Sequence, residues 1–307
     1  MTALVFEQVL NGLQLGVLLF LIAAGLTLIF GVMDFINLSH GSLFMLGAYF
    51  AVTFQGLTGS FFLAVVLAGL AVCLVGLLFE ILLVRRLYER SHLDHVLITY
   101  GLILVANEAV SIVWGSSPIF SGLPEQLSAL VALPFGISYP AYRLLVIVVG
   151  ILVAAFLFYL VKETRVGMRV RAGATNRTIV SVMGVNISLL FTMVFAFGAF
   201  LAGLAGALAG PLLSVQPGMG ETVLILSFVV VVIGGLGSIK GALLAAVMVG
   251  LIDTMGRAFL RDFLSTFFSP RIASEAGPAL ASMLVYILMA LILFFRPEGL
   301  LPMQKRS

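Results

Sequence analysis

Charge is what this sequence lacks most. Of its 307 residues only 9% are Asp, Glu, Lys or Arg, against about a quarter in a soluble domain. Meanwhile 62% are hydrophobic, and the mean hydropathy is +1.24. No water-soluble fold of this length hides so large an apolar share, so lipid must be the solvent. Cysteine is represented by Cys73 alone, which excludes an internal disulfide. There are three histidines, and His40 has no second His or Cys at ligand spacing, which argues against a metal site. Residues 1–10 carry no Lys or Arg, so no basic region of a cleaved signal precedes the first apolar span, and that span is expected to be retained. Nucleotide-binding motifs are missing too. The Gly-rich run 234–241 lacks the order of a phosphate loop, and no Ser-His-Asp or Cys-His arrangement is placed to react. The chain therefore reads as no enzyme, with no metal or cofactor of its own. Its net charge of +3 reflects loops rather than a nucleic-acid surface.

What is present is apolar length. In lipid the backbone must satisfy its own hydrogen bonds, which leaves helices or closed barrels, and the runs here lack period-two alternation. The class is all-α: a polytopic helical bundle of eight or nine membrane segments, some short or broken. Full spans are expected at 13–31, 61–84, 96–114, 144–161, 189–210, 242–260 and 279–295, each near the ~20 residues that cross a bilayer core. Two runs, 42–54 and 223–233, are too short to cross, and 211–222 and 261–278 read as connections. Trp114, Tyr139 and Tyr142 flank the loop 115–142, where an aromatic belt would sit.

Basic residues set the orientation. An external amino terminus puts Arg85, Arg86, Arg90, the cluster Lys162, Arg165, Arg169, Arg171 and Arg177, then Arg296, Lys305 and Arg306 inside. It leaves Arg143, Arg257, Arg261 and Arg271 outside, and makes the carboxyl terminus cytoplasmic.

Polar groups gather in few places. Asp34, Asn37, Ser39, His40 and Gly41 crowd the break after the first span. Ionisable groups at membrane depth are costly and usually functional, so this break reads as a gate or part of a solute path. The plainer reading is a turn in which Asn37 or Ser39 caps the next helix. A second Gly-rich break holds Gly235, Gly237 and Ser238, and resembles the first in its Gly-Ser step. Interrupted short segments in two halves of a chain point to a transport path. Gly198, Ala202, Gly206 and Gly210 recur every four residues, a bare ridge for close helix packing. Asp253 and Arg257 are spaced to pair on one helix. Glu80 reads as interfacial beside Arg85 and Arg86, and His92 and His95 as surface residues. Glu108, next to Asn107, would either face a cavity or snorkel outward.

The segment 162–187 has structure of its own. Thr175 or Asn176 can cap a short helix, with Ile179, Val182 and Met183 on one face and Gly184 ending it. An amphipathic helix rimmed by arginine suits either a groove on a partner or anionic headgroups.

Four motifs in order resemble one family: Asn37-Leu38-Ser39-His40-Gly41; Arg165-x-Gly167-x-x-x-Arg171-Ala172 with Gly184-Val185-Asn186 closing the segment; Gly234-Gly235-Leu236-Gly237-Ser238-Ile239-x-Gly241; and Arg296-Pro297-x-Gly299. The chain resembles, over almost its whole length, the LivH-type membrane subunit of branched-chain amino-acid ABC importers. That resemblance implies a single permease domain over 1–307, in a bacterial inner membrane. It also implies a second permease subunit, either a LivM-type paralogue or a second copy, two ATP-binding subunits that carry ATP and Mg, and a periplasmic solute-binding protein. Arg165, Gly167, Arg171, Asn176, Ile179, Val182, Met183 and Gly184 would then couple to the ATPases. Val180 departs from the small Ala common in the family. The same family includes importers of urea, short amides and aromatic or other carboxylates. The competing class is a stand-alone transporter or channel that relies on Asp34, His40 or Glu108.

Overall fold

The computed structural model describes residues 2–124, 127–175 and 177–302. Among these, eleven α-helices follow one another: α1 (Thr2–Met33), α2 (His40–Thr58), α3 (Phe61–Leu82), α4 (His92–Trp114), α5 (Ala141–Glu163), α6 (Arg165–Thr175), α7 (Arg177–Val182), α8 (Ile187–Ala209), α9 (Met219–Gly234), α10 (Ile239–Ser265) and α11 (Pro270–Phe295). One antiparallel hairpin, β1 (Leu130–Leu133) with β2 (Ile137–Pro140), sits in the loop before α5. Seven of the described helices are long and apolar enough to cross a membrane. With the 19-residue α2 and the shorter α9 among them, this is a multi-pass helical membrane protein of the expected class.

Several elements extend past their expected ends. The 261–278 connection is almost entirely helical, because Ser269 and Pro270 start α11 early and α10 runs to Ser265. The basic segment holds two helices, α6 and α7, where one was expected.

Burial sorts the helices. The most apolar stretch of α1 is 83% buried by the protein itself and that of α8 67%, whereas α11 reaches only 11%. So α1 and α8 are the hub, and α3, α4, α5, α10 and α11 turn much of their apolar surface outward. A helix apolar on every side belongs in such a centre. With no hydrophobic drive between helices in lipid, close contact depends on small residues. The hub is built that way: the carbonyl of Gly198 on α8 would lie 2.7 Å from a side chain at Gly25 on α1, and the carbonyl of Gly25 3.1 Å from one at Gly198. The expected ridge follows this pattern in part. Gly198 meets α1, Ala202 is fully buried, and Gly206 abuts the Phe44 carbonyl of α2, whereas Gly210 has no neighbour closer than 3.6 Å.

Asp253 and Arg257 pair as expected, at 2.9 Å. Tyr139 and Tyr142 turn inward rather than forming a belt. The Tyr142 hydroxyl donates to the Leu208 carbonyl at 2.6 Å and the Tyr139 hydroxyl to Asn11 at 3.0 Å. A buried phenol needs such a partner.

Candidate functional site

The site begins where α1 ends. Asp34 adopts φ 52°, a left-handed turn, and 34–39 runs back into the bundle. His40 opens α2 wholly buried, its Nε2 3.2 Å from the Ile22 carbonyl. Ile22 lies about 16 Å back along α1 from Met33, at ~1.5 Å per residue. So α2 starts deep in the bundle, beside Ile22 of α1. The returning strand is pinned by Leu38 N–H on Thr99 Oγ1 at 3.2 Å, and by Ser39 Oγ, which donates to Asn37 Oδ1 at 2.6 Å. That last bond corrects the capping expectation: the Ser39 hydroxyl is spent on Asn37, whose buried Nδ2 stays without a partner, and neither side chain caps α2.

The α9 helix is entered in a related way. After α8 the chain pairs Ile119 with Val215, turns at Gly218 (φ 83°), and starts α9 at Met219. Gly41 and Gly220 then meet backbone to backbone, each occupying the space that a side chain on the other would need. The amino-terminal ends of α2 and α9 thus abut inside the bundle. The element that meets the start of α2 is therefore α9, while the second Gly-Ser break opens α10.

Two helix amino termini brought together place partial positive charges side by side. Glu221, in the first turn of α9, offsets them. Its Oε1 accepts from Asn107 Nδ2 of α4 at 2.6 Å, and Asn107 Oδ1 accepts from the Gly218 N–H at 3.2 Å. Glu221 and Glu108 are both exposed on the surface of this chain. An ionised carboxylate facing hydrocarbon is costly, so this face belongs to water or to a partner subunit. The arrangement offers hydrogen-bond acceptors and negative charge beside helix amino termini, a combination able to hold a small polar or zwitterionic molecule. The sequence reading placed 211–222 in a turn and so missed Glu221. A Gly-Met-Gly-Glu step ahead of an apolar run was the available signal.

The remaining expected path residues scatter. Asp34 is exposed and faces His92, 3.9 Å away, at the end of the bundle that carries the basic loops. Gly235 (φ 100°) packs against the closing turn at Gly299, and Gly237 (φ 81°) against Gly31. Ser238 Oγ accepts from Gly241 N–H at 3.1 Å and caps α10. These residues shape the break between α9 and α10, away from the Gly41–Gly220 contact.

In the basic segment, Arg165, Gly167 and Arg171 lie on α6, with Gly167 packed against the Leu160 and Val161 carbonyls. Asn176 lies outside the described residues, as do Lys305 and Arg306. Apolar side chains of α7 and the turn after it point outward: Ile179, Val182 and Met183 are 58%, 84% and 76% exposed, while Val180 is buried. Gly184 takes φ 83° just after the helix.

At the same basic end Glu80 is completely buried, not interfacial. It accepts from Arg85 at 3.2 and 3.3 Å, from Thr192 at 2.7 Å and from the Tyr88 hydroxyl. Burial and then the bond to Glu80 push the Tyr88 hydroxyl well above its ordinary pKa. His95 is buried as well, with Nε2 2.8 Å from the Leu87 carbonyl and its ring against Phe35. The surface expectation failed because α4 starts at His92 on a Ser91–Asp94 capping box, which turns His95 inward.

Residues 8–293 match the family model described as branched-chain amino acid transport system / permease component. The chain is similar to the high-affinity branched-chain amino acid transport system permease protein BraD of Pseudomonas aeruginosa, 28% identical over 96% of this chain and 95% of that protein. It is similar to the LivH permease protein of the same type of system in Escherichia coli, 27% identical over 83% and 86% of the two chains. A more distant similarity, 24% identity over 76% of this chain and 72% of the relative, is to the ribose import permease protein RbsC of Escherichia coli. No solved structure matches the chain.

Proposed function

The chain belongs to the branched-chain amino acid transport system / permease component family, of membrane permeases rather than enzymes, and on that premise we propose that it is the transmembrane subunit of an ATP-binding-cassette importer for branched-chain or related amino acids. The observation that carries this reading furthest is the meeting of α2 and α9 at Gly41 and Gly220, beside the exposed Glu221–Asn107 pair. Helix amino termini that start inside the bilayer and point at a solute's anionic group are a recurring way to build a membrane-embedded site. The α-carboxylate of an amino acid suits those termini, and its ammonium suits Glu221 or Glu108. In this reading the surface bearing those acids faces the pathway, completed by a second permease subunit. The chain lies in a bacterial inner membrane with its amino terminus outside.

The engine lies elsewhere. ATP and Mg belong to two partner ATPase subunits, and a periplasmic binding protein delivers the solute. The exposed Ile179, Val182 and Met183 suit an apolar groove on an ATPase. Arg165, Gly167 and Arg171 hold the α6 platform from which α7 projects, and Gly184 lets the chain turn back into α8.

The test is co-expression with the genomic neighbours, followed by co-purification, ATPase assay and uptake of labelled leucine into proteoliposomes. ATPase subunits should co-purify with the native chain. Met183→Asp should lose them or uncouple hydrolysis from uptake, at unchanged amounts of membrane-inserted protein. Uptake by this chain alone, without ATP and abolished by an uncoupler, would overturn the reading in favour of a secondary transporter.

A further inference from the structure

A cavity of about 360 Å³ lies outside the Gly41–Gly220 region, at the basic end of the bundle, between α1, α5, α6 and the start of α10. Its floor is apolar and buried, with Val170 of α6 at 7% exposure and Thr27 of α1 at 0%; Phe158 of α5 contributes a further wall. Thr27 is unusual for a helical threonine here. Thr53, Thr99 and Thr254 each donate to the carbonyl four residues back, whereas the Thr27 hydroxyl has no hydrogen-bond partner. The exposed rim holds three cations: Lys162, Arg171 and Lys240. No acidic residue lines the cavity. Among the described residues Lys162 has an exposed pairing with Glu163 at 3.4 Å, and neither Arg171 nor Lys240 forms an ion pair.

An apolar floor with a cationic rim, at the height where a membrane helix meets its basic loop, matches a molecule with an acyl chain below and a negative headgroup above. Basic pockets between helices at this level bind anionic lipid headgroups, each cation adding attraction near the surface. The volume falls within the ~300–1,000 Å³ of small-ligand sites, enough for a headgroup and the first part of its chains. We propose that this cavity is a binding site for an anionic membrane phospholipid, its phosphate held by Lys162, Arg171 and Lys240 and its acyl chain over Phe158 and Val170. Because α6 is one wall, an occupied site ties the coupling segment to α1 and α10. The proposal does not depend on the solute or on the partner subunits.

The experiment uses the full-length chain in nanodiscs of phosphatidylcholine with increasing phosphatidylglycerol, released into mild detergent for native mass spectrometry. The expected result is one retained phosphatidylglycerol per chain that phosphatidylcholine does not displace. Lys240→Ala and Arg171→Ala should each weaken retention about fivefold. Ala174→Phe, which keeps every cation and fills the cavity beside Val170, should abolish retention, with thermal melting reporting that the variant is folded. Equal retention of the two lipids, retention unaffected by Ala174→Phe in folded protein, or displacement of the lipid by millimolar inorganic phosphate alone would overturn the proposal. The last outcome would assign the rim to a free anion.

Discussion

The hydroxyl of Thr192 on α8 donates to the carboxylate of Glu80 on α3 at 2.7 Å, and so ties the first helix after the basic segment to a buried charge. Arg85 completes the group, 41% exposed while Glu80 is fully enclosed. The two ends of this ion pair are therefore unequal. Removing Arg85 leaves the enclosed carboxylate with Thr192 and Tyr88 as its remaining donors and no counter-charge, the costlier loss. Removing Glu80 strands a guanidinium that can rehydrate. Arg85→Ala should lower the thermal midpoint in detergent more than Glu80→Gln, with Thr192→Val smallest at about 1 kcal/mol. A reversed order would show that the carboxylate is hydrated in the membrane.

Tyr88 supplies a pH signature for the same cluster. Its folded pKa is raised, by burial and then by its bond to Glu80, above an unfolded value near 10. A raised pKa favours the protonated hydroxyl, so the contribution is complete below about pH 10 and declines as pH climbs beyond it. The difference in melting temperature between the native chain and Tyr88→Phe should be flat from about pH 6 to 9 and shrink above about pH 10.

The Gly41–Gly220 contact leaves no space for a methyl group on either residue, and the obstacle is backbone. Gly41→Ala or Gly220→Ala should each cost about 3 kcal/mol or more and reduce the folded, membrane-inserted chain, as overpacking against rigid neighbours does. Gly56, also in α2, has nothing within 4 Å of its side-chain position. Gly56→Ala should be neutral or stabilise by up to about 1 kcal/mol through helix propensity. Fluorescence-detected size exclusion of the three variants separates these outcomes.

Asn107 bonds both Glu221 and the Gly218 N–H, so it orients the opening of α9. In reconstituted uptake, Glu221→Gln should raise the solute KM about tenfold or more while basal ATP hydrolysis stays within about twofold. Asn107→Ala should lower uptake further, because it leaves two polar partners unsatisfied. Loss of ATP hydrolysis in step with uptake would instead place this pair in assembly.

The amino-acid sequence alone determined the solvent, the class and the punctuation of this protein. Scarce charge and long apolar runs required helices in lipid. The break at Asp34–Gly41, the basic segment 162–187 and the short run ahead of Gly235 are local features, legible because span length and loop charge act over neighbouring residues. The helix bearing Ile179, Val182 and Met183 was legible for the same reason, through its periodicity. Only the tertiary structure decided which elements meet. Met219–Thr222 looks like a turn by composition. It becomes helix because Asn107, more than a hundred residues earlier, takes the Gly218 N–H and the Glu221 carboxylate. Glu80 beside two arginines looks interfacial until Thr192 arrives from α8 and encloses it. Gly41 and Gly220 show no sign of each other in the sequence, since the bareness of a glycine says only that something can come close, and the packing of α1 against α8 settles what does.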